Sequence, residues 1–243
     1  MKKPISDAVI LMAGSGSRLR RSGEKSPKPL LLLAGRPLIS YTLDLLAKAG
    51  VKTVHAVIGF ESDSLRAGVE ALMPANIDLI WIENREWQKQ NGISMLAAAG
   101  SLKTPFILTM GDHIFEDSIA DLLLRTSNVD ELTVAVDRKL DLIFDLDDAM
   151  KVKTRGDRVV AIGKQLEKYD AIDTGLFVCS RDIFDYLERA KRDGDCSLAD
   201  GVRLMAGVGK VRAVDIGNAW WQDVDSTETL EHARKLIATS RTV

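Results

Sequence analysis

A glycine turn near the start of the chain is followed by two cations whose spacing points to phosphate chemistry. The run Ala8-Val-Ile-Leu-Met12 is apolar and reads as a buried parallel strand. It ends in Ala13-Gly-Ser-Gly-Ser, with Arg18 on the far side and Ser26-Pro-Lys28-Pro-Leu soon after. Such a turn presents backbone N–H groups to an anion, and the two cations add charge that amides lack. Gly14 and Gly16 give G-x-G, but Leu19 breaks the dinucleotide fingerprint G-x-G-x-x-G, and the chain has no G-x-x-x-x-G-K-[ST] loop. Glycine in a strand–helix turn also serves positive φ. The functional reading therefore rests on the turn, Arg18 and Lys28 together: a loop that grips a triphosphate.

Four further places carry chemistry. Leu108-Thr-Met-Gly-Asp112-His113 is a buried strand ending in Gly-Asp. Asp112 there either holds a divalent cation beside phosphates or caps the next helix. In Trp220-Trp-Gln-Asp223-Val-Asp225-Ser, two acids at i, i+2 on an extended segment point the same way. Asp225 could complete a metal site with Asp112. Asp225 or Ser226 is equally well placed to cap the last helix, with Glu228 closing a capping box, and one carboxylate can do both. Gln90-Asn91-Gly-Ile-Ser94, after Trp81-Ile-Glu83, could read a base edge, although its spacing fits an ordinary turn and cap better. Lys164, after Ile162-Gly, could bind a second anion, whereas most lysines are simply solvated. The acidic run Asp145-Leu-Asp147-Asp148 reads as a solvated loop.

The elements that must position these residues alternate. Strands are expected at 8–13, 53–59, 77–82, 105–110 and 132–136, with helices at 37–49, 62–72, 92–102 and 117–125 between them. Pro37 suits the first turn of its helix and Gly50 its end. Repeated βα units imply a Rossmann-like, doubly wound sheet that is mixed but mostly parallel, with ligands at the carboxyl ends of its strands. Gly14 and Asp112 fall at two such ends. The second half reads as a hairpin insertion over 150–163, strands at 171–179 and 211–216, and helices near 181–192, 197–206 and 226–240.

Bulk properties narrow the function. The 243 residues are 46% hydrophobic and 28% charged, enough for a sizeable core. A net charge of −2 gives no electrostatic case for nucleic acid or an anionic membrane. Cys179 and Cys196 have no metal-type spacing and suit a reduced, cytoplasmic setting. His55, His113 and His232 are scattered, which argues against zinc. The apolar run after Lys2 and Lys3 breaks at Gly14, unlike a signal peptide. No stretch approaches the ~20 apolar residues needed to span a membrane. The apolar content of the last two helices is compatible with a homodimer.

The same motifs carry a resemblance. Ala13-Gly-Ser-Gly-Ser-Arg18-Leu with Ser26-Pro-Lys28-Pro-Leu resembles the signature of the sugar-nucleotidyltransferase superfamily, in which Gly111-Asp112 and Asp225 match the two metal carboxylates. Across nearly the whole chain, Asn91-Gly-Ile-Ser94, Phe106-Ile-Leu-Thr-Met-Gly-Asp-His113, Ile162-Gly-Lys164, Asp173-Thr-Gly-Leu-Phe177 and Trp221-Gln-Asp-Val-Asp225 are similar to the CTP:inositol-1-phosphate cytidylyltransferases. The resemblance implies one nucleotidyltransferase domain over 1–243, with a nucleotide-binding half to about 115 and an alcohol-phosphate-binding half beyond. It implies that Met12, Ala13, Gly14, Ser15 and Gly16 wrap the triphosphate of CTP. Arg18 would neutralise the β- and γ-phosphates, and Lys28 the α-phosphate. Asp112 and Asp225 would hold Mg²⁺, and Glu83, Asn91 and Ser94 would lie near base and ribose. Lys164 would grip the phosphate of inositol 1-phosphate, with Asp173, Thr174 and Gly175 at its ring.

The implied product is CDP-inositol for di-myo-inositol phosphate, an osmolyte. Some members of that family are fused to a membrane-embedded synthase. With no such segment, the chain resembles a stand-alone or excised catalytic domain with a functional link to that synthase. Superfamily hexose enzymes often carry Glu-x-Lys-Pro where this chain has Gly163-Lys164-Gln165. Rival expectations are a cytidylyl-, uridylyl- or thymidylyltransferase acting on phosphocholine or a hexose 1-phosphate, and a non-catalytic nucleotide sensor. A choline pocket needs aromatic faces, for which Trp220, Trp221 and Tyr169 are the candidates. A sensor would not need both Asp112 and Asp225.

Overall fold

The computed structural model describes residues 5–21, 23 and 26–240; Lys2 and Lys3 lie outside them. The first strand, β1 (Asp7–Leu11), is buried from Ala8 onward and has parallel neighbours on both sides. A continuous apolar run is what a strand covered on both faces requires. The glycine turn leads into a short helix α1 (Ser17–Arg21). Two small strands follow, β2 (Leu32–Leu33) and β3 (Arg36–Pro37), then α2 (Leu38–Lys48) and β4 (Thr53–Ile58). Next come α3 (Ser62–Glu70), β5 (Asp78–Glu83), α4 (Asn91–Ala97), β6 (Phe106–Met110), β7 (His113–Phe115), α5 (Asp117–Thr126) and β8 (Leu132–Asp137). The second half adds β9 (Lys151–Arg155), β10 (Arg158–Gly163), β11 (Ala171–Cys179), α6 (Asp182–Ala190) and α7 (Leu198–Gly207). It closes with β12 (Val211–Asp215), β13 (Trp221–Asp223) and α8 (Thr227–Ser240).

Nine strands form one sheet in the order β5-β4-β1-β6-β11-β8-β12-β10-β9. The pairs β4–β5, β1–β4, β1–β6 and β8–β12 are parallel. The reversal comes at β11, antiparallel to both β6 and β8. The hairpin β9–β10 extends the far edge with a register shift between Val159 and Ala161. Compared with the sequence expectation, the long elements stand within a few residues, while the 92–102 helix stops at Ala97.

Side chains alternate across the sheet, and the helices divide accordingly. Ala8 and Ile10 join Ile39, Leu43, Leu65, Ile119 and Leu123 of α2, α3 and α5. Val9 and Leu11 join Ile93, Met95, Ile183, Val202 and Met205 of α4, α6 and α7 on the other face. Truncating Ile10 or Leu11 to Ala costs about 2–5 kcal/mol. A third cluster, of Leu33, Leu38, Ile114, Val224, Ala233 and Ile237, fastens α8 under the two small sheets. The apolar positions of α7 and α8 thus face inward, with Leu204 of α7 and Val208 just past its end left exposed. Among the described residues no helix is long and apolar enough to cross a membrane.

Candidate active site

Leu11 pairs with Met110 in the β1–β6 register, so the two strands end level. The glycine turn after β1 and Gly111-Asp112 after β6 therefore lie side by side. Gly111 N–H donates to Leu11 O at 3.0 Å, and a Cβ on Gly111 would meet Met12 at 2.4 Å. Gly16 has φ +60°, and a Cβ there would sit 3.1 Å from the Lys28 stem. At Gly14 the same Cβ would enter open space, so glycine here leaves room at the turn that the protein's own atoms do not fill. Met12 and Ala13 are buried, and Met12 belongs to the core. Lys28 opens a 3₁₀ turn, Lys28–Leu30, between Pro27 and the buried Pro29. Two fixed φ angles hold the lysine stem in place.

The Lys28 ammonium donates to Asp112 Oδ2 at 2.5 Å and also to Asp225 Oδ1. Its side chain is only 10% exposed. What joins the two aspartates is the antiparallel pair β7–β13, with His113 opposite Asp223 and Val224 N–H donating to Asp112 O at 2.9 Å. Neither aspartate caps a helix. Ser226 Oγ accepts from Thr229 N, and Thr229 Oγ1 accepts from the N–H groups of Asp225 and Ser226. The capping role falls on Ser226 and the Asp225 carboxylate is left to face the cations. Arg18 Nη2 reaches its other oxygen at 2.5 Å.

His113, to which the sequence reading gave no role, hydrogen-bonds Asp112 Oδ1 through Nδ1 at 2.6 Å. Its ring lies near-parallel to those of Trp221 and Phe115, 6.2 Å from each, and Gly175, with φ +80°, lies against its Nε2–Cδ2 edge. Burial works against charge on Asp112, but Lys28 and His113 outweigh it and hold the carboxyl well below the usual range. Burial likewise opposes the Lys28 and His113 charges, and the facing aspartates raise both pKa values. Asp223 is pushed up by burial, with Asp225 and Asp112 adding repulsion.

These residues line a cleft with two lobes. The smaller, about 300 Å³, is bounded by Gly14–Arg18, Lys28, Asp112 and Asp225. The larger, about 770 Å³, shares Gly14, Asp112 and Asp225 and runs on to Lys164, Asp173, Gly175, Trp220 and Trp221. Lys164 pairs with Asp148. Asp173 Oδ1 accepts from Gly175 N at 2.8 Å, and burial pushes the carboxyl up to about 7.

Some expectations need correcting. Thr174 alternates to the opposite side of β11, is fully buried, and donates to Ala135 O at 3.0 Å, so its hydroxyl faces the core. Glu83 ends the edge strand β5, exposed and outside the lining of both lobes. Asn91 and Ser94 do line the larger lobe, but the Asn91 carboxamide oxygen accepts from Leu198 N at 2.8 Å, tying α4 to the start of α7. Ser94 Oγ accepts from the buried Asn84 at 2.9 Å, a partner with no signal in the sequence. Tyr169 lies under Lys151 and outside the lining of the larger lobe. Asp148 is not a solvated member of an acidic loop, because it pairs with both Arg18 and Lys164.

The donor set suits a divalent cation brought by a nucleotide. Among the described residues no three His, Cys, Asp or Glu side chains form a ready metal cage. Asp112 and Asp225 nevertheless share a single ammonium, which places their oxygens within two hydrogen-bond lengths of each other. Mg²⁺ takes one or two carboxylates and completes its octahedron with phosphate and water.

Residues 8–201 match the model of the MobA-like NTP transferase domain. The chain belongs to that family. The match covers the glycine turn, Lys28, Asp112 and Lys164 of this NTP transferase domain. It is 34% identical, over 96% of its own length, to the bifunctional IPC transferase and DIPP synthase of Aquifex aeolicus, and 32% identical over 95% to that of Thermococcus kodakarensis. It spans about half the length of those relatives, 52% and 50%. Among solved structures, the inositol-1-phosphate CTP transferase from T. maritima superposes with a TM-score of 0.87 at 26% identity, covering 98% of this chain and 97% of that one. A UDP-glucose pyrophosphorylase bound to UDP-glucose, at 16% identity and a TM-score of 0.81, shares the fold. The expected nucleotidyltransferase architecture, with its mixed sheet and hairpin, is the one observed.

Proposed function

We propose that this nucleotidyltransferase moves CMP from CTP to inositol 1-phosphate, releasing pyrophosphate and forming CDP-inositol for di-myo-inositol phosphate synthesis. The observation that carries the reading is the meeting of Arg18, Lys28, Asp112 and Asp225 beside the glycine turn, with Lys164 across the same cleft. Two anions must be brought together, and that arrangement supplies cations on both sides of the junction.

In this reading the turn at Gly14–Gly16 and Arg18 hold the β- and γ-phosphates, and Lys28 turns from the aspartates to the α-phosphate. Asp112 and Asp225 hold Mg²⁺, which when bound offsets charge on the phosphate oxygens. Lys164 orients the acceptor phosphate. One of that phosphate's oxygens attacks the α-phosphorus in line, the bond to the bridging oxygen breaks, and pyrophosphate leaves. The nucleophile is already an anion, so no general base is required. A helix terminus contributes only about 0.3–1 kcal/mol toward an adjacent charge, so the side-chain cations and the metal carry most of the stabilisation. Trp221 and the half-buried Asp173 offer a flat apolar face and a hydrogen-bonding carboxyl to a polyol ring.

The test is to incubate the protein with each NTP, Mg²⁺ and a panel of phosphorylated alcohols, and to measure pyrophosphate. Turnover with CTP and inositol 1-phosphate is the expected result. Preference for UTP or dTTP with a hexose 1-phosphate, or for phosphocholine, would reassign the acceptor. Nucleotide binding without metal-dependent pyrophosphate release would make the domain a sensor.

A further inference from the structure

Asp148 stands apart from the acidic run that surrounds it. Its carboxylate takes Arg18 Nη1 on Oδ2 at 2.8 Å and Lys164 Nζ on Oδ1 at 2.5 Å. One side chain thereby joins a residue 130 positions upstream to one 16 positions downstream. These are the cations given above to the nucleotide and acceptor phosphates, and they come from different walls of the cleft. The segment that carries Asp148 is fastened at several points. Lys151 Nζ donates to Asp147 O at 3.3 Å and to Lys164 O at 2.9 Å, and Phe144 stacks on His232 of α8 at 4.4 Å. Burial opposes ionisation of Asp148, but Lys164 and Arg18 outweigh it and keep the carboxyl below its ordinary pKa.

An anionic carboxylate and a phosphate offer cations the same kind of acceptor oxygens. We propose that Asp148 is a resident phosphate surrogate: its carboxylate, anchored on Arg18, occupies Lys164 where the acceptor phosphate must bind, and that phosphate displaces it from Lys164. The proposal rests on the phosphate roles assigned to the two cations. It also gives the site a way to discriminate. An anion with nothing beyond its phosphate must compete with a tethered carboxylate, whereas one whose ring also reaches Asp173 and Trp221 brings further contacts.

Titration calorimetry of the full chain with inorganic phosphate tests this without knowledge of the acceptor. The Asp148→Asn variant keeps the shape and removes the charge. It is expected to bind phosphate about two- to fivefold more tightly than the unaltered protein, within the range spanned by partly exposed ion pairs. Asp148→Ala should move the same way, and adding Lys164→Met should abolish the gain. If Asp148→Asn binds phosphate no more tightly while Lys164→Met alone binds it more weakly, the surrogate is overturned and the phosphate role of Lys164 stands. If Lys164→Met leaves phosphate affinity unchanged, the phosphate role falls and the surrogate falls with it.

Discussion

The ammonium of Lys28 lies against the carboxylate of Asp225, although 197 positions separate them in the chain. The same ammonium holds Asp112, so one buried lysine keeps two carboxylates close that would otherwise repel each other. In the proposed reading, Lys28 therefore stands both where a nucleotide phosphate and where a divalent cation is needed.

Replacing Lys28 by Ala should lower turnover on the order of 10²–10³, the usual consequence of removing one charge-stabilising group from a reaction site. Asp112→Asn should do the same. Both proteins are expected to stay folded, because the sheet and its two apolar faces do not depend on either residue. The Lys28 variant removes the ammonium that the two carboxylates share, leaving His113 on Asp112 and Arg18 on Asp225, so its melting temperature should respond to Mg²⁺ more strongly than that of the unaltered protein. Equal Mg²⁺ responses in thermal melts would remove the metal assignment.

Lys164 faces the larger lobe from the β9–β10 side. Lys164→Ala is expected to raise KM for the phosphorylated alcohol more than KM for CTP. Steady-state kinetics with each substrate varied in turn decides this, and the reverse pattern would move Lys164 to the nucleotide.

Asp173 ties its carboxyl to the stability of the protein. Burial raises its pKa from 3.8 to about 7, against the opposing N–H of Gly175. Between those values the folded state binds the proton more tightly than the unfolded chain, so the contribution of this group to stability falls as pH rises through the window. Asp173→Asn cannot ionise. Relative to the unaltered protein it should gain on the order of 1–2 kcal/mol at pH 8 and little at pH 4, allowing for partial solvent screening. Denaturant titrations at both pH values measure the difference, and a pH-independent difference would refute the assignment.

Gly175→Ala would place a Cβ 2.5 Å from His113 at φ +80°. The ring is stacked and cannot retreat without moving Asp112. The variant is expected to lose about 1–3 kcal/mol of stability and to lose turnover as well. A fully active variant with an unchanged melting temperature would show that His113 yields at no cost.

Much of this protein is legible before folding is considered. The apolar runs of β1, β4, β6 and β8 and the helices between them follow from periodicity. The glycine turn, Arg18 and Lys28 follow from residue type and spacing, because phosphate binding demands backbone amides and cations in a short stretch, whereas for Asp112 and Asp225 spacing leaves capping and metal binding both open and only the family resemblance favours the metal. Other features emerge only when distant segments meet. Strands of two or three residues, such as β7 and β13, have no periodic signal, yet their pairing is what brings Asp112 to Asp225. Whether Asp225 caps the last helix is open in the sequence, and Ser226 answers that by taking the cap, which leaves the Asp225 carboxylate to Lys28 and Arg18. Thr174 and Glu83 carry suitable chemistry, but strand alternation turns the first into the core and the sheet edge places the second outside the cleft lining. Asp148 reads as one acid among several until the fold sets Arg18 and Lys164 on either side of it. Local sequence fixes which groups a segment can offer, whereas facing and pairing depend on contacts between residues far apart in the chain, which only the packed sheet creates.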